Sequence, residues 1–269
     1  MYLADYHVHS HISPDGFASM AEMAAAELEA GVEEICFTDH LEPVNWRTGE
    51  SRTAFDWAAL EAEYAGGMAR MGERIKIRLG LELGDAPSDY EATERMLEGR
   101  PELDFVIGSI HTLSPAYGGM DLNWVREDSE ETAQAEVEDY IGRIQEMARW
   151  GKFNVMGHLT LPLRYINGKR GFHATFDGYE EQIAEVLRTL IQSGRGIEVN
   201  TNRGGPPLPD EKWLRLYRDL GGEIVTIGSD AHRPEDAGRG IQEGQALLSA
   251  CGFQRYCTFE RQKPVWHTL

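Results

Sequence analysis

The sequence has little cysteine, a deficit of positive charge and no long hydrophobic run. Its three cysteines, Cys36, Cys251 and Cys257, form no CxxC pair, which excludes a disulfide framework. No stretch approaches the roughly 20 apolar residues of a membrane-spanning helix. The first ten residues carry neither a basic region nor a long apolar run, so we expect no secretory signal. These absences favour a reduced, cytoplasmic protein with no membrane partner.

The charge is strongly negative, with 45 Asp and Glu against 26 Lys and Arg and a formal net charge of −19. Such a chain repels nucleic-acid backbones and anionic membrane surfaces, unless bound metal ions reverse the field locally. We therefore expect no nucleic-acid partner. The remaining composition, 41% hydrophobic and 26% charged residues, is typical of a soluble globular protein and excludes a disordered chain.

Short apolar runs alternate with longer amphipathic segments along the 269 residues. The runs have the length of buried parallel strands and cover residues 2–9, 34–40, 75–83, 104–111, 153–159, 196–200 and 223–230. The helix-like segments cover residues 18–30, 55–71, 88–98, 129–150, 177–193, 209–220 and 235–250. This alternation predicts an α/β fold with a parallel sheet.

We favour a single domain over residues 1–269 that forms a closed or nearly closed barrel of about seven strands, with an open doubly wound sheet as the alternative. Long irregular segments at 41–54, 112–128 and 160–176 follow the second, fourth and fifth strands. Segments of this length in a compact domain are usually functional. All three leave the carboxyl ends of strands, where parallel α/β folds place their sites.

Metal-binding side chains occupy the carboxyl ends of six predicted strands. They comprise six of the nine histidines and two carboxylates: His7, His9, His40, Glu82, His111, His158, Asp230 and His232. In a parallel barrel these ends form one ring. The set is large enough for two or three ions with mixed nitrogen and oxygen ligands. Closely spaced ions of this kind bind the attacking and leaving oxygens of a phosphoryl group.

Two aspartates lie beside this ring in the sequence. Asp5 has the strand parity of His7 and is a candidate for orienting an imidazole, with a buried polar residue of the barrel as the alternative. Asp39 precedes His40 and is a candidate for a supporting contact or a proton shuttle, with capping of the next turn as the alternative.

An ordered set of motifs extends from residue 7 to residue 232. The motifs are HxH (7–9), SxDG (13–16), TDH (38–40), GxE (80–82), GSIH (108–111), GH (157–158), EVN (198–200) and GSDAH (228–232). Together they resemble the polymerase-and-histidinol-phosphatase (PHP) superfamily, and within it the histidinol-phosphate phosphatases.

The resemblance implies a distorted (β/α)7 barrel with a trinuclear metal site at the carboxyl ends of its strands. It assigns one ion to His7, His9, Glu82 and Asp230, a second to Glu82, His111 and His158, and a third to Asp15, His40 and His232. The Asp15 position is often a histidine in relatives, and an oxygen ligand there alters which metal the third site prefers. We expect two to three divalent ions, with Zn, Fe and Mn all compatible with these ligands.

The implied activity is hydrolysis of a small phosphate monoester by a metal-bridging hydroxide, held by Glu82, His7, His9, His111 and Asp230. The substrate that the resemblance favours is L-histidinol phosphate, which would place the protein in histidine biosynthesis. Bound ions would also reconcile a chain of charge −19 with an anionic substrate.

A basic segment in this acidic chain supports a phosphate ligand. Residues 160–176 contain Arg164, Lys169 and Arg170 and no acidic residue, and Arg203 follows the sixth strand. We rank Arg164 first for phosphate contact, because relatives carry a basic residue there and guanidinium matches phosphate geometry. The alternative is a solvated basic loop.

Other functions stay open at this point. The main alternative is a PHP-type phosphoesterase acting on another small phosphomonoester or a nucleotide, because the loops rather than the metal ring select the leaving group. Glu42, Asp121 and Glu127 are candidates for binding a cationic leaving group. A more remote alternative is a non-enzymatic metal-binding protein. An amidohydrolase is disfavoured because the fourth strand ends in Ser-Ile-His, and a polymerase-associated exonuclease because no polymerase region is present.

Overall fold

A computed structural model of the chain describes residues 2–269. Its strands are β1 (Ala4–Val8), β2 (Glu34–Phe37), β3 (His40–Leu41), β4 (Val44–Asn45), β5 (Glu50–Ser51), β6 (Lys76–Gly84), β7 (Phe105–Ser109), β8 (Val155–Met156), β9 (Gly196–Asn200), β10 (Val225–Gly228), β11 (Arg255–Glu260) and β12 (Lys263–Thr268). Its α-helices are α1 (Met20–Glu29), α2 (Trp57–Met71), α3 (Tyr90–Met96), α4 (Glu130–Trp150), α5 (Pro162–Arg170), α6 (Glu180–Gln192), α7 (Glu211–Asp219) and α8 (Ile241–Ala250).

Seven parallel strands form a nearly closed barrel in the order β1-β2-β6-β7-β8-β9-β10. The first and last strands meet through backbone hydrogen bonds, since His9 N donates to Ala231 O and Asp230 N donates to His7 O. The barrel prediction is confirmed, and the open-sheet alternative is wrong. The wall is uneven, because β8 has only two residues and the β1–β2 register shifts between Asp5 and Val8.

Helices cover the outside of the barrel where the apolar periodicity predicts them. In α6 the stripe Ile183, Val186, Leu187 and Leu190 is buried, which removes its apolar face from water. The α4 helix begins with a capping box at Ser129, whose hydroxyl accepts a hydrogen bond from the Thr132 backbone N–H. Most helix ends lie within a few residues of the sequence prediction, but α8 begins at Ile241 rather than near residue 235.

Two elements differ from the sequence prediction. Residues 160–176 are not irregular throughout, because α5 lies within them; it begins at Pro162 and ends before Gly171, which has φ +77°. Only Pro162 and Ile166 of α5 are buried, so no apolar stripe marked the helix. The β11–β12 hairpin was not predicted either, because Arg261 and Gln262 adopt positive φ at its turn without the Asn-Gly signal of such turns.

The carboxyl ends of the barrel strands carry additional structure. The β4–β5 hairpin follows β3, and residues 112–128 form a mostly irregular segment after β7. Both segments stand at the end of the barrel that holds the histidines. Among residues 2–269, no helix combines the length and apolarity needed to cross a bilayer.

Candidate metal centre

Glu82, near the end of β6, lies at the centre of the histidine cluster and is 1% exposed. Its Oε1 atom lies 2.9 Å from His158 Nε2 and 3.1 Å from His111 Nε2, and it accepts a hydrogen bond from Ser109 Oγ. Its Oε2 atom lies 2.9 Å from His40 Nδ1 and 3.2 Å from His7 Nε2. A single carboxylate therefore connects imidazoles from four other strand ends.

Asp230, just beyond β10, forms a second anionic point in the cluster. Its Oδ1 atom lies 3.6 Å from His9 Nε2, 3.9 Å from His7 Nε2 and 3.5 Å from His232 Nδ1. His9 Nε2 also lies 3.5 Å from Glu82 Oε2. His7, His9, Glu82 and Asp230 thus surround one common point, as the resemblance implies for the first ion.

The outer part of the cluster contains Asp15. Its carboxylate oxygens lie 3.5 Å from His40 Nε2 and 3.3 Å from His232 Nε2. The Asp15 side chain is 61% exposed, whereas those of His40 and His232 are each 14% exposed. The structure therefore brings all nine predicted ligands together, with Asp15 at the solvent edge.

The donor set has the spacing that a metal centre requires. Ligand atoms around an ion at about 2.1 Å lie about 3.0–3.4 Å apart in octahedral or tetrahedral geometry. The buried atoms His7 Nε2, His9 Nε2, His40 Nδ1 and Glu82 Oε2 are near one another yet have no hydrogen-bond partner among the described residues. A polar atom buried without a partner is costly, and bound cations would satisfy these atoms. The residues present fit divalent metal ions.

The electrostatics of the cluster also suit cations. Burial, reinforced by the rings of His232 and His40, holds the pKa of His9 well below its ordinary value, and burial lowers the pKa of His158. These two neutral imidazoles present the lone pairs that metals bind. Burial opposes protonation of His7, His40 and His111, but the neighbouring carboxylates, Glu82 above all for His40 and His111 and Glu198 for His7, raise the pKa of His7 and His111 well above the ordinary value and that of His40 to about 9. A cation bound at these three rings therefore takes the place of a proton. Although burial opposes it, contact with His7 and His111 keeps the pKa of Glu82 well below its usual range. Glu82 is therefore ionised at neutral pH.

Two glutamates orient the rings of this cluster. Glu198 Oε1 lies 2.6 Å from His7 Nδ1, and its Oε2 accepts the backbone N–H of His158 at 2.8 Å. Glu42 Oε1 lies 3.0 Å from His111 Nδ1. Both contacts leave the Nε2 atoms of His7 and His111 directed at Glu82. Sequence reasoning missed both roles, although the EVN motif places Glu198 at a strand end.

Asp5, a candidate for orienting an imidazole, contacts backbone N–H groups rather than a histidine ring. Asp5 is fully buried, and its Oδ1 accepts backbone N–H groups of His7 at 3.2 Å and Ser229 at 2.9 Å. The His7 ring turns away to Glu198 instead. Asp5 therefore joins β1 to the end of β10, which is the alternative stated for a buried polar residue of the barrel.

Asp39 supports His9 through a serine. Its Oδ1 accepts hydrogen bonds from Ser13 Oγ at 2.6 Å and Ser10 N at 2.8 Å, and its Oδ2 accepts from Ser10 Oγ. Ser13 Oγ in turn lies 3.1 Å from His9 Nδ1. The fully buried Asp39 thus holds the segment after β1 against the metal-binding end of the barrel. A supporting role of Asp39 for the metal ligands stays a prediction, and these contacts favour it.

A cavity of about 650 Å³ opens over the cluster. Glu82, His111, His158 and Asp230 form part of its floor. Basic side chains in its wall are Arg47, Arg52, Arg164, Lys169, Arg203 and Arg233. The cavity therefore combines a cation-binding floor with walls that suit an anion.

The four basic residues singled out in the sequence differ in position. Arg164, Lys169 and Arg203 line the cavity. Arg164 Nη1 contacts Asp230 Oδ2 at 2.5 Å and its Nη2 donates to Asn200 Oδ1 at 2.8 Å. Arg170 does not line the cavity; it pairs with Glu127 at 2.7 Å and donates to the Leu122 carbonyl. Its position at the end of α5 turns Arg170 toward the 112–128 segment.

Known proteins show the same architecture. The PHP domain model matches residues 5–202. The curated histidinol-phosphatase of Lactococcus lactis is 26% identical over 96% of this chain and 95% of its own length. A probable histidinol-phosphatase of Thermotoga maritima is 29% identical over 98% of both chains.

A solved structure agrees with these sequence matches. The crystal structure of histidinol phosphate phosphatase from Lactococcus lactis, complexed with zinc, L-histidinol and phosphate, superposes with a TM-score of 0.80. It is 25% identical and covers 98% of each chain. The resemblance seen in the ordered motifs is thus confirmed. Since the domain model covers residues 5–202, well over half of the chain, the chain belongs to the PHP domain family.

Proposed function

We propose that this protein hydrolyses L-histidinol phosphate to L-histidinol and inorganic phosphate. At the level of class, the chain is a phosphoric monoester hydrolase of the PHP family. The observation that carries the proposal is the convergence of nine metal-ligand side chains, Glu82 at their centre, beneath a cavity with arginines in its wall. The choice of ester is supported by relatives of the same length named as histidinol-phosphatases.

The proposed metal assignment follows the contacts. One ion would be held by His7, His9, Glu82 and Asp230, a second by Glu82, His111 and His158, and a third by Asp15, His40 and His232. Zinc is the first ion to test, because the Lactococcus structure was solved with zinc. The solvent-exposed carboxylate of Asp15 makes the third site the weakest of the three.

When bound, divalent ions lower the pKa of a coordinated water and neutralise charge that develops on the phosphoryl oxygens. The chain's own groups supply the rest. Glu198 and Glu42 fix the rings of His7 and His111 through their Nδ1 atoms. Lys169 and Arg203 present cationic groups in the cavity wall that bind and orient the phosphate.

Arg164 has two functions in this proposal. Its guanidinium is buried against Asp230 and Asn200, so it holds the Asp230 carboxylate toward the cluster. Its Nε atom has no hydrogen-bond partner among residues 2–269. A guanidinium can serve a carboxylate and a phosphate at once because it offers five donors. We therefore retain Arg164 as a phosphate-binding residue.

The test is phosphate release from a panel of esters by zinc-loaded protein, with metal counted on the same sample. The panel contains L-histidinol phosphate, p-nitrophenyl phosphate, glycerol phosphate, a nucleoside monophosphate and a phosphodiester. We expect two to three ions per chain and the highest kcat/KM with L-histidinol phosphate. Glu82→Gln, which removes the shared charge, should lose both metal and turnover.

Each other result has a distinct meaning. Turnover with another monoester or a nucleotide as the preferred substrate would keep the metal centre and overturn the substrate. Bound metal without hydrolysis of any ester would point to a non-enzymatic metal-binding protein. Full activity of Glu82→Gln would overturn the ligand assignment.

A further inference from the structure

The cavity wall contains carboxylates as well as cations, and the metal ring does not use all of them. Glu42, Asp121 and Asp236 line the cavity together with the basic side chains. An acidic group beside a phosphate site is unfavourable unless the ligand also carries positive charge. Each carboxylate in this wall therefore needs a partner, either within the protein or on the ligand.

Two of these carboxylates already have a partner within the chain. Glu42 faces the His111 ring at 3.0 Å. Asp236 pairs with Arg239 at 3.2 Å. Glu127, which sequence reasoning also considered for a cationic leaving group, is fully buried and paired with Arg170. These three groups are occupied by the fold itself.

Asp121 differs from them. Its Oδ1 accepts the backbone N–H of Asn123 at 2.8 Å. Within residues 2–269, no Lys, Arg or His side chain comes within ion-pair distance of the Asp121 carboxylate. The nearby Lys169 ammonium is engaged by Asn123 Oδ1 at 2.5 Å instead. Asp121 is therefore a half-buried carboxylate in the cavity wall without an ion-pair partner among the described residues.

The backbone holds Asp121 at a fixed place relative to the metal cluster. Residues Thr112 and Asp121 form an antiparallel bridge, and Leu122 N donates to His111 O at 2.9 Å. Trp124 N and Val125 N both donate to Asp121 O. The segment that carries Asp121 is thus attached directly to the strand end that carries His111.

The aromatic rings at the cavity mouth do not offer an equivalent cation site. Trp46 and Trp124 stack with ring centroids 6.1 Å apart. The Arg47 guanidinium already lies 5.1 Å from the Trp46 ring centroid and 5.8 Å from that of Trp124. Since these faces already bind a cation of the chain, Asp121 is the wall group that remains for a cation of the ligand.

We propose that Asp121 is a specificity-determining residue that binds a cationic group on the leaving-group side of the substrate, through a charge-assisted hydrogen bond. This inference rests on the proposed function, because an ammonium or imidazolium is the part of L-histidinol phosphate that it would recognise. The carboxylate favours amino-alcohol phosphates over neutral or anionic esters.

The test compares Asp121→Asn with the wild type on cationic and neutral esters. The Asn side chain can still accept the Asn123 N–H, so the turn is preserved while the charge is removed. We expect kcat/KM for L-histidinol phosphate and for O-phosphoethanolamine to fall about 10- to 100-fold. With ethyl phosphate and p-nitrophenyl phosphate, kcat/KM should stay within about twofold or rise, since a negative charge near the phosphate has been removed.

Asp236→Asn is the matched control, because Asp236 lies in the same cavity wall but is paired with Arg239. It should leave the ratio of kcat/KM for cationic and neutral esters unchanged. Product inhibition gives a second measurement: Asp121→Asn should weaken inhibition by L-histidinol at least tenfold and leave inhibition by inorganic phosphate unchanged.

The outcomes separate this inference from the proposed function. An equal loss with all four esters in Asp121→Asn would mean a structural role and overturn the inference. If wild type hydrolyses L-histidinol phosphate and Asp121→Asn has the same kcat/KM for it, the inference is overturned and the proposed function stands. If wild type fails to hydrolyse L-histidinol phosphate but prefers O-phosphoethanolamine to ethyl phosphate through Asp121, the proposed function fails and the inference stands.

Discussion

At the residue scale, Glu198 contacts two of the histidines whose rings face Glu82. Its carboxylate accepts from the His7 ring and from the His158 backbone, and it is 1% exposed. Glu198→Gln keeps the size of the side chain but replaces one acceptor by an amide donor. We expect a 10- to 100-fold loss in metal affinity or in kcat/KM, which is typical of residues that orient metal ligands. Metal titration and steady-state kinetics on one preparation measure both.

Glu223→Gln is a suitable control for Glu198→Gln, because Glu223 is on the surface and pairs with Arg255. Glu223→Gln should change neither the metal affinity nor kcat/KM. Unaltered metal affinity and kcat/KM in Glu198→Gln would mean that the His7 ring needs no orientation by this carboxylate.

Gly228 illustrates why one position at a strand end accepts no side chain. A Cβ atom there would overlap the Cβ of His7 and the Oε1 of Glu198. Gly228→Ala should therefore displace both groups, lowering kcat/KM at least tenfold and the melting temperature by several degrees. Thermal unfolding and kinetics with L-histidinol phosphate measure the two effects.

Gly142→Ala provides the comparison for Gly228→Ala. Gly142 lies within α4 with open space around it, so alanine should stabilise the protein by about 0.5–1 kcal/mol and leave kcat/KM unchanged. If both alanine variants behaved alike, the close contact of Gly228 with His7 would not be the cause.

At the scale of elements, the α4 helix depends on its first turn. The Ser129 hydroxyl accepts from the Thr132 N–H, and the Thr132 side chain accepts from the Ser129 N–H. Ser129→Ala should cost about 0.5–2 kcal/mol of stability in chemical denaturation. Since Ser129 is remote from the metal cluster in its contacts, kcat/KM should not change.

Ser249→Ala in α8 controls for loss of a hydroxyl alone, because Ser249 is exposed within a helix. It should be neutral or slightly stabilising, as alanine favours helix more than serine does. Equal destabilisation by both serine variants would argue against the capping contribution.

Elements were predictable from the sequence where one local signal dominated. The stripe of α6 is one such case, because burial of one helix face requires that periodicity. The apolar runs of β6 and β9 are another, because both faces of these strands are buried. The α5 helix escaped prediction because it buries only two residues. The β11–β12 hairpin escaped because its turn uses Arg261 and Gln262, which rarely adopt positive φ.

At the scale of the whole molecule, metal and stability should be linked. The buried nitrogen and oxygen atoms of the cluster that lack hydrogen-bond partners are satisfied only when metal ions bind, and the ions bind the folded state. An ion present at about 100 times its Kd adds about 2.7 kcal/mol. Removing the ions with a chelator should therefore lower the melting temperature by roughly 5 °C or more. Zinc should restore it.

His9→Ala tests this linkage, because His9 contacts both Glu82 and Asp230. Its melting temperature should respond to the chelator much less than that of the wild type. A wild-type melting temperature that is unaffected by chelation would contradict the assignment of the cluster as a metal centre.

The sequence by itself determined the family and the barrel, and it predicted the nine metal ligands, because eight of them end strands and parallel strands end on one side of a barrel, while the family motif added Asp15. Only the tertiary structure decided how the supporting groups are paired. The His7 ring contacts Glu198 rather than Asp5. Glu127 pairs with Arg170, whereas the Asp121 carboxylate accepts only a backbone N–H and has no ion-pair partner among the described residues. Such pairings depend on distances between distant segments, and no local pattern in the sequence encodes those distances.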